Sequence, residues 1–259
     1  IFVPSRAPKG KVAQLMTFGA NVISVQGNYE ETFELSKKAI DKWGWYNRNA
    51  AINPYLSEGK KTVALEIMEQ LSWQVPDYIA ISVGDGCTIA GVWKGLKDLY
   101  AIGFIDKLPR LISAQAEGCH PINRAIAENK PWEPMEENTL ADSIAVGVPR
   151  NADKALMAIR ESNGIVVNVT DEEIMAAQKL LGTTCGVFGE PAGVTGTAGV
   201  KKLCEQGVLG ANDTVVSVVT GNGLKDVANA IKFCGEPMSL PNDLDLLVEE
   251  FAKRGIKTK

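Results

Sequence analysis

The sequence predicts an α/β protein with a doubly wound, mostly parallel sheet. Segments with helical periodicity alternate with short apolar segments along the 259 residues. The apolar segments at 78–83, 164–169 and 214–219 are continuous runs rather than alternations, which is typical of parallel strands covered on both faces. Each helix is then expected to be a right-handed crossover. Ligands of such sheets bind beyond the carboxyl ends of the strands, so the turns that follow the strands are the candidate sites.

Proline, glycine and capping residues mark where the predicted elements begin and end. Pro8 begins the first helix and Gly19 closes it, while Thr170 caps a later helix. Strands are predicted at 1–3, 21–26, 78–83, 110–115, 164–169, 186–188 and 214–219. Helices are predicted at 8–19, 28–43, 58–71, 121–129, 153–161, 171–181 and 191–206, with further helices after residues 88, 223 and 241. Residues 44–57 and 130–138 are predicted to be polar loops.

Charge and composition exclude several classes of function. The net charge is −4 and there is no run of Lys or Arg, which argues against a nucleic-acid or anionic-membrane surface. No stretch approaches 18 apolar residues, so no membrane span is expected. The single histidine, His120, precedes a proline and is interpreted as a helix-entry residue, so neither a His-rich metal site nor a catalytic triad is expected.

The cysteines indicate reduced thiols in a cytoplasmic protein. They are odd in number and scattered, and none forms a Cys-x-x-Cys pair, so neither a disulfide framework nor a zinc site is expected. The five positions are Cys87, Cys119, Cys185, Cys204 and Cys234.

A glycine turn, GDGCTI at residues 84–89, follows the predicted strand at 78–83 and opens a helix. Glycines let backbone N–H groups approach a ligand closely, and the helix adds unpaired N–H groups and a positive dipole end. The combination is typical of a phosphate site. A dinucleotide fingerprint would need glycine where Ile89 stands, and a P-loop would need lysine and serine or threonine where Val92 and Trp93 stand. A plain strand-to-helix turn is the remaining alternative.

A second glycine turn, TGNG at residues 220–223, ends the predicted strand at 214–219. Both turns follow strand carboxyl ends, so they are expected to face one pocket from two sides. The helix at 191–206 carries a glycine at every third position from 193 to 199, which favours close packing on the sheet over contact with a ligand.

Four motifs together resemble the threonine synthase family. They are NPYLSEGKKT at 53–62, the turn at 84–89, EPAG at 190–193 and TGNGLKD at 220–226. Threonine synthases are pyridoxal-phosphate (PLP) enzymes of the tryptophan-synthase-β (fold type II) group, and the resemblance covers nearly the whole chain. The TGNGLKD motif is the most specific, because related dehydratases and cysteine synthases generally carry a serine in different surroundings at that point.

The resemblance implies where the cofactor is held. Its 5′-phosphate would lie on the turn formed by Gly84, Asp85, Gly86, Cys87, Thr88 and Ile89, and Thr220 would contact the pyridine nitrogen. A neutral hydroxyl at that position does not favour a protonated ring.

The resemblance also implies the reaction, in which O-phospho-L-homoserine and water give L-threonine and phosphate. A cytoplasmic homodimer in amino-acid biosynthesis is expected by the same analogy. For the substrate, Asn53 is either a ligand contact or the start of an Asx-Pro turn, and Arg48 or Lys60 would supply positive charge.

Two departures from the family pattern bear on activity. The family's Schiff-base lysine and its Thr-Ser-Gly-Asn-Thr loop do not occur, and Lys60 and Lys61 lie on a different element. Ile1 resembles the end of a buried strand, so both motifs are expected upstream and the chain by itself is expected to be inactive. Residues 1–43 would then be a remnant of a smaller mobile domain, and residues 44–259 the large PLP-binding domain.

The other departures concern the substrate phosphate. Many relatives have asparagine where Asp85 stands and arginine where Leu56 stands. A carboxylate next to a phosphate is repulsive unless it turns away. Two alternatives therefore remain beside threonine synthase: a threonine/serine dehydratase, and a non-catalytic paralogue that binds a phosphate ligand.

Overall fold

A computed structural model of the protein describes residues 1–49 and 51–257. Residues 50, 258 and 259, which fall in the predicted loop at 44–57 and in the predicted large domain, lie outside the described residues. The strands are β1 (Phe2–Pro4), β2 (Ile23–Val25), β3 (Tyr78–Ser82), β4 (Arg110–Ala116), β5 (Ile165–Val169) and β6 (Val215–Ser217). The helices are α1 (Lys9–Thr17), α2 (Tyr29–Trp43), α3 (Pro54–Gly59), α4 (Thr62–Gln70), α5 (Cys87–Ala101), α6 (Pro121–Glu128), α7 (Ala152–Glu161), α8 (Asp171–Cys185), α9 (Pro191–Glu205), α10 (Val227–Cys234) and α11 (Leu244–Lys253), with 3₁₀ turns at Asp142–Ile144 and Gly223–Asp226.

The main sheet has four parallel strands in the order β5-β4-β3-β6 and is covered on both faces. Ile79 and Ile81 of β3 pack into a core formed with α4, α5, α6 and α7. Tyr78 and Ala80, on the opposite face of the same strand, pack into a second core with α8 and α9. Because successive strand residues point to opposite faces, an entirely buried strand supplies two cores at once. The predicted α/β fold with a doubly wound parallel sheet is confirmed.

Strand order places the two glycine turns next to each other. β3 and β6 are hydrogen-bonded neighbours and run in the same direction, with Ala80 opposite Ser217. Their carboxyl ends therefore meet at one edge of the sheet. The turn after β3 and the turn after β6 both emerge at this edge.

Residues 1–43 contain a separate two-stranded parallel sheet, in which β1 pairs with β2. Helix α2 follows with a capping box at Asn28 and Glu31 and ends at Gly44, which adopts a left-handed conformation. The predicted domain boundary between residues 43 and 44 coincides with this helix end, and the division into domains stays a prediction.

Two predicted elements differ in the structure. The single helix predicted at 58–71 is two helices, α3 and α4, and α3 begins within the predicted loop. The strand predicted at 186–188 is wrong, because α8 continues to Cys185 and leaves only an isolated bridge between Gly189 and Asn222.

Helix α9 lies unusually close to the sheet. A Cβ atom added at Gly199 would lie 2.7 Å from Cγ1 of Val167, and one added at Gly196 would lie 3.4 Å from the carbonyl oxygen of Ala80. Gly196 and Gly199 thus serve close packing on the strands, as predicted, whereas Gly193 packs on the second glycine turn, where its Cβ would lie 2.8 Å from the backbone nitrogen of Gly221. Within residues 1–49 and 51–257, no helix is long and apolar enough to cross a membrane.

Candidate functional site

The two glycine turns share one cavity at the carboxyl end of the sheet, with a volume of about 200 Å³. Residues 84–89 form one side and Thr220 contributes from the other turn. The wall is completed by Lys60, Ser82, Val83, Ser143, Ile144 and Ala192. The sequence therefore predicted correctly that the two turns face a common space.

Gly86 is required by the shape of the first turn. Its φ is +84°, a left-handed conformation that side chains other than glycine rarely adopt. A Cβ atom at this position would also lie 2.8 Å from Cβ of Ala155 and 3.0 Å from the carbonyl oxygen of Asn151. Gly84 is similarly confined, since its Cβ would lie 2.9 Å from Cα of Ile144.

The first turn presents a row of backbone donors to the cavity. Among the described residues, no acceptor is found for the N–H groups of residues 84–89, whereas the N–H of Ala90 donates to the carbonyl of Gly86 at 3.2 Å. The last three of these six donors belong to the first turn of α5, where the helix dipole is positive. Six consecutive donors without acceptors around one cavity are typical of a site that binds an anion such as a phosphate group.

Contacts behind the turn fix its backbone. Asn151 donates its N–H to the carbonyl of Asp85 at 3.0 Å. The side-chain amide of Gln115, which is fully buried, donates to the carbonyl of Val83 at 3.2 Å. Gln115 is itself held by the N–H of Asn123, which donates to its Oε1 at 2.8 Å. The carbonyl groups of Val83 and Asp85 thus accept hydrogen bonds from residues that support the turn, while the N–H groups of residues 84–89 have no acceptor among the described residues.

The carboxylate of Asp85, a residue of the cavity wall, is bound by two residues that do not line the cavity. Its Oδ1 accepts a hydrogen bond from the backbone N–H of Arg150 at 3.1 Å, and its Oδ2 accepts one from the hydroxyl of Tyr29 at 3.3 Å. Neither partner lines the cavity. Burial, reinforced by the Asp85 charge, raises the pKa of Tyr29 above its ordinary value, so this phenol remains a donor to the carboxylate.

The second turn is anchored to the segment before α9. The N–H of Glu190 donates to the carbonyl of Gly221 at 2.8 Å, and the N–H of Gly223 donates to the carbonyl of Phe188 at 2.8 Å. A Cβ atom at Gly221 would collide with the Glu190 side chain. These contacts fix the turn on both sides, and Thr220 itself is exposed at the cavity.

A lysine from the first 43 residues also reaches this region. The ammonium group of Lys11 lies 3.2 Å from Oε2 of Glu190, whose side chain is 7 % exposed, and 3.3 Å from Oδ2 of Asp142. It donates to Oγ of Ser143, a cavity-wall residue, at 2.7 Å. Nothing in the sequence pattern marked Lys11, because its partners lie more than a hundred residues away.

The residues predicted to contact substrate separate into two groups. Asn53 is buried, and its side chain is fully engaged: Oδ1 accepts from the N–H of Tyr55 at 3.0 Å, and Nδ2 donates to the hydroxyl of Tyr46 and the carbonyl of Asn47. It therefore shapes the loop and caps α3. Arg48 is exposed and lies outside the cavity wall, whereas Lys60 lines it.

Cys87 forms part of the turn but is not an activated thiol. Its side chain is buried, and burial, with a contribution from the Asp85 charge, raises its pKa from an ordinary 9.0 to about 11. A thiol that holds its proton at neutral pH is a poor nucleophile. Its contribution to the site is its backbone N–H.

The residues present fit a phosphate-bearing aromatic cofactor. The N–H groups without acceptors and the side chain of Lys60 would hold the phosphate, and the Thr220 hydroxyl would provide one polar contact from the other turn. Lys60 is the one lysine that lines this cavity within the described residues, and no lysine stands in the family's Schiff-base motif in the sequence.

The comparisons with known proteins assign the class. Residues 1–221 match the family model described as "Pyridoxal-phosphate dependent enzyme", so the chain belongs to that family. Solved structures agree on the fold: a fungal L-serine ammonia-lyase from Rhizomucor miehei superposes with a TM-score of 0.73 at 19 % identity, over 92 % of this chain and 74 % of that one. Pyridoxal phosphate is the cofactor of the family, as the sequence motifs predicted.

Within that family the chain is similar to threonine synthases. It is 42 % identical over 242 residues to the threonine synthase of Methanocaldococcus jannaschii, covering 92 % of this chain and 59 % of that protein. The threonine synthase of Methanosarcina acetivorans is 43 % identical over 242 residues, covering 93 % of this chain and 60 % of that protein. The predicted family resemblance is confirmed, and the chain spans about three-fifths of the length of these relatives.

Proposed function

We propose that this protein serves as a threonine synthase, which converts O-phospho-L-homoserine and water to L-threonine and phosphate with pyridoxal phosphate. The observation that carries the proposal is the shared cavity, in which six free N–H groups face Thr220 of the TGNGLKD motif. The identity of 42–43 % to two threonine synthases supports this substrate over those of other family members.

In this proposal the chain holds the cofactor at both ends. The N–H groups of residues 84–89 bind its phosphate, and the Thr220 hydroxyl hydrogen-bonds its ring nitrogen. When bound, pyridoxal phosphate supplies an electron sink for carbanions that form on the substrate. The neutral Thr220 hydroxyl leaves the ring nitrogen unprotonated, which limits how far that sink is used.

Lys60 supplies the positive charge for phosphate groups at this site. Among the described residues it is the cation that lines the cavity, and its backbone is fixed against α5, where a Cβ atom at Gly91 would lie 2.6 Å from Cβ of Lys60. Asn53 and Arg48 are assigned supporting roles only: Asn53 positions the segment that leads to Lys60. By this assignment Lys60 replaces the arginine that many relatives carry where Leu56 stands.

The chain by itself is proposed to bind cofactor without turning over substrate. Covalent catalysis in this family depends on a lysine in a Ser-x-Lys-Asp/Glu segment, which does not occur in the sequence. Residues 44–259 are proposed as the PLP-binding domain, residues 1–43 as part of a smaller mobile domain, and the active enzyme as a cytoplasmic homodimer.

Binding of the cofactor tests the site directly. Isothermal titration of the full chain with pyridoxal phosphate, with pyridoxal and with inorganic phosphate separates the phosphate contact from the ring contact. Pyridoxal phosphate and phosphate are expected to bind, and pyridoxal is expected to bind far more weakly. Equal affinity for pyridoxal and its phosphate would contradict the assigned turn.

The reaction is tested in a chimera that joins the preceding part of the Methanocaldococcus jannaschii threonine synthase to this chain. With O-phospho-L-homoserine, release of phosphate and formation of threonine are expected in equal amounts. The chain alone, as control, is expected to give neither. Deamination of threonine or serine to a keto acid, without threonine synthesis, would instead establish the dehydratase alternative.

A further inference from the structure

Asp85 creates an electrostatic difficulty in the proposed phosphate turn. Its carboxylate is 13 % exposed and lies on the same turn as the six free N–H groups. A carboxylate close to a phosphate dianion opposes binding, and one that is buried without a partner is costly as well. A neighbouring cationic group offsets both the repulsion of the phosphate and the burial of the carboxylate.

That group is Arg150, whose side chain is 9 % exposed. Its Nη1 lies 3.7 Å from Oδ1 of Asp85, in addition to the backbone hydrogen bond to the same oxygen. The guanidinium also pairs with Glu30 of α2 and stacks over two aromatic rings, at 4.9 Å from the centroid of Tyr29 and 3.9 Å from that of Phe33.

Within the described part of the chain, one buried donor of Arg150 has no hydrogen-bond partner, which is energetically unfavourable. Its Nε is a buried donor without a hydrogen-bond partner among the described residues. A buried cation with an unpaired donor is not expected at a position that serves packing alone. Its Nη1 donates to the carbonyl of Val148 at 2.9 Å, and its other contacts are with Asp85 and with the face of α2 that carries Tyr29, Glu30 and Phe33.

We infer that Arg150 is a positioning residue for the phosphate turn. It neutralises Asp85 and, with the Tyr29 hydroxyl, holds the carboxylate against residues that do not line the cavity, so that an acidic residue is tolerated on a turn that binds an anion. Because Tyr29, Glu30 and Phe33 belong to α2, docking of this helix and the shape of the turn are coupled through Arg150. This inference rests on the proposed function, since the anion is the phosphate of the cofactor.

The test is a double-mutant cycle on the full chain with the variants Arg150→Gln, Asp85→Asn and the two combined. Affinity for pyridoxal phosphate and for inorganic phosphate is measured by isothermal titration. Arg150→Gln is expected to weaken both about 10- to 100-fold, as one uncompensated charge near an anion does at an effective dielectric constant of about 20. Asp85→Asn is expected to bind more tightly than the wild-type chain.

The combined variant decides the inference. If Arg150 acts by neutralising Asp85, removing the carboxylate removes the need for it, and the combined variant is expected within about threefold of Asp85→Asn. A combined variant as weak as Arg150→Gln would overturn the inference, as would wild-type affinity in Arg150→Gln. If Arg150→Gln does not fold, recovery of folding and binding in the combined variant supports the inference, and its failure to fold overturns it.

Arg6→Gln is the matched control. Arg6 also joins the first 43 residues to the rest of the chain through an ion pair, with Glu137, but it does not contact Asp85. Its substitution is expected to leave phosphate affinity within about twofold. An effect as large as that of Arg150→Gln would assign the loss to docking in general and overturn the specific role. Failure of the wild-type chain to bind either ligand would instead overturn the proposed function.

Discussion

Gly86 is the single residue on which the proposed phosphate turn most depends. It combines a left-handed backbone with a position against Ala155 and Asn151 that has no room for a methyl group. Its backbone lies between the strand and the helix, so any shift there moves the free N–H groups of residues 84–89. A substitution at Gly86 is therefore expected to affect ligand affinity more than it affects the free energy of unfolding.

Gly86→Ala is expected to abolish measurable binding of pyridoxal phosphate. Left-handed strain costs about 1–2 kcal/mol and crowding adds to it. Gly103→Ala is the matched control, since Gly103 also has a positive φ, of +80°, but has no atom within 4 Å of its Cβ position. The control is expected to lower the unfolding temperature while it retains binding. Retention of binding in Gly86→Ala would show that the turn has another role.

The burial of individual cysteines predicts which thiols can be modified. Burial raises the pKa of Cys87 and of Cys119 to about 11, whereas Cys185, Cys204 and Cys234 are exposed. Iodoacetamide at pH 8 is expected to label the three exposed thiols and leave the other two unmodified, as counted by mass spectrometry of the intact protein. Labelling of all five under native conditions would contradict the described burial.

The raised pKa values also fix the direction of a pH dependence. Between about pH 9 and 11 the folded protein keeps thiol protons that the unfolded chain releases, so the free energy of unfolding falls as the pH rises through this window. Chemical denaturation at pH 8 and pH 10.5 measures the slope, and Cys119→Ala is expected to reduce it.

At the scale of elements, the convergence of the two turns was predictable and the support behind them was not. Parallel strands with short crossovers bring their carboxyl ends together, so the glycine turns could be placed from the sequence. Arg150 and Asn151 contact the turn at 84–86 from 65 residues away, and a loop after Pro149 gives no periodicity from which such contact could be inferred.

The predicted helix at 58–71 also differs from the structure because of packing between elements that are distant in the sequence. The predicted helix at 58–71 breaks because the backbone at Lys60 and Lys61 packs directly on α5. There, Cβ atoms at Gly91 and Gly95 would lie 2.6 Å from Cβ of Lys60 and from the carbonyl oxygen of Lys61. Tertiary packing thus overrides the continuous helix that the local sequence pattern predicts. Lys60 lies at this break and lines the cavity.

Gly95→Ala tests this helix contact. The added methyl group would overlap the carbonyl of Lys61, so a loss of about 1–3 kcal/mol in the free energy of unfolding is expected. Gly59→Ala is the control, because a Cβ at Gly59, the last residue of α3, has no atom within 4 Å. It is expected to be neutral or slightly stabilising. Equal stability of the two variants in urea would contradict the close packing.

At the scale of the whole molecule, four ion pairs join residues 1–43 to the rest of the described chain. Lys11 pairs with Glu190 and Asp142, Arg6 with Glu137, and Glu30 with Arg150. Polar interfaces of this kind depend on ionic strength and separate more readily than apolar ones. These four pairs are therefore expected to weaken as the ionic strength rises.

Lys11→Met is expected to loosen α1. The substitution keeps the length of the side chain but leaves the Glu190 carboxylate, 7 % exposed, without its cation. Faster hydrogen exchange in α1, with little change in β3 and β4, is the expected result by mass spectrometry. Lys9→Met, at an exposed position on the same helix, is the control and should exchange like the wild-type chain. Unchanged exchange in both variants would contradict the role of Lys11.

The Asp85–Arg150 pair also restricts the order in which its members can be exchanged over generations. Loss of the arginine first leaves an acid beside the bound anion, whereas replacing the acid first leaves a cation that still has Glu30 and two aromatic rings. A lineage is therefore expected to acquire the change Asp85→Asn while Arg150 is still present, and to lose the arginine only afterwards. Reconstructed intermediates along the two routes, one viable and one not, would reveal this directionality.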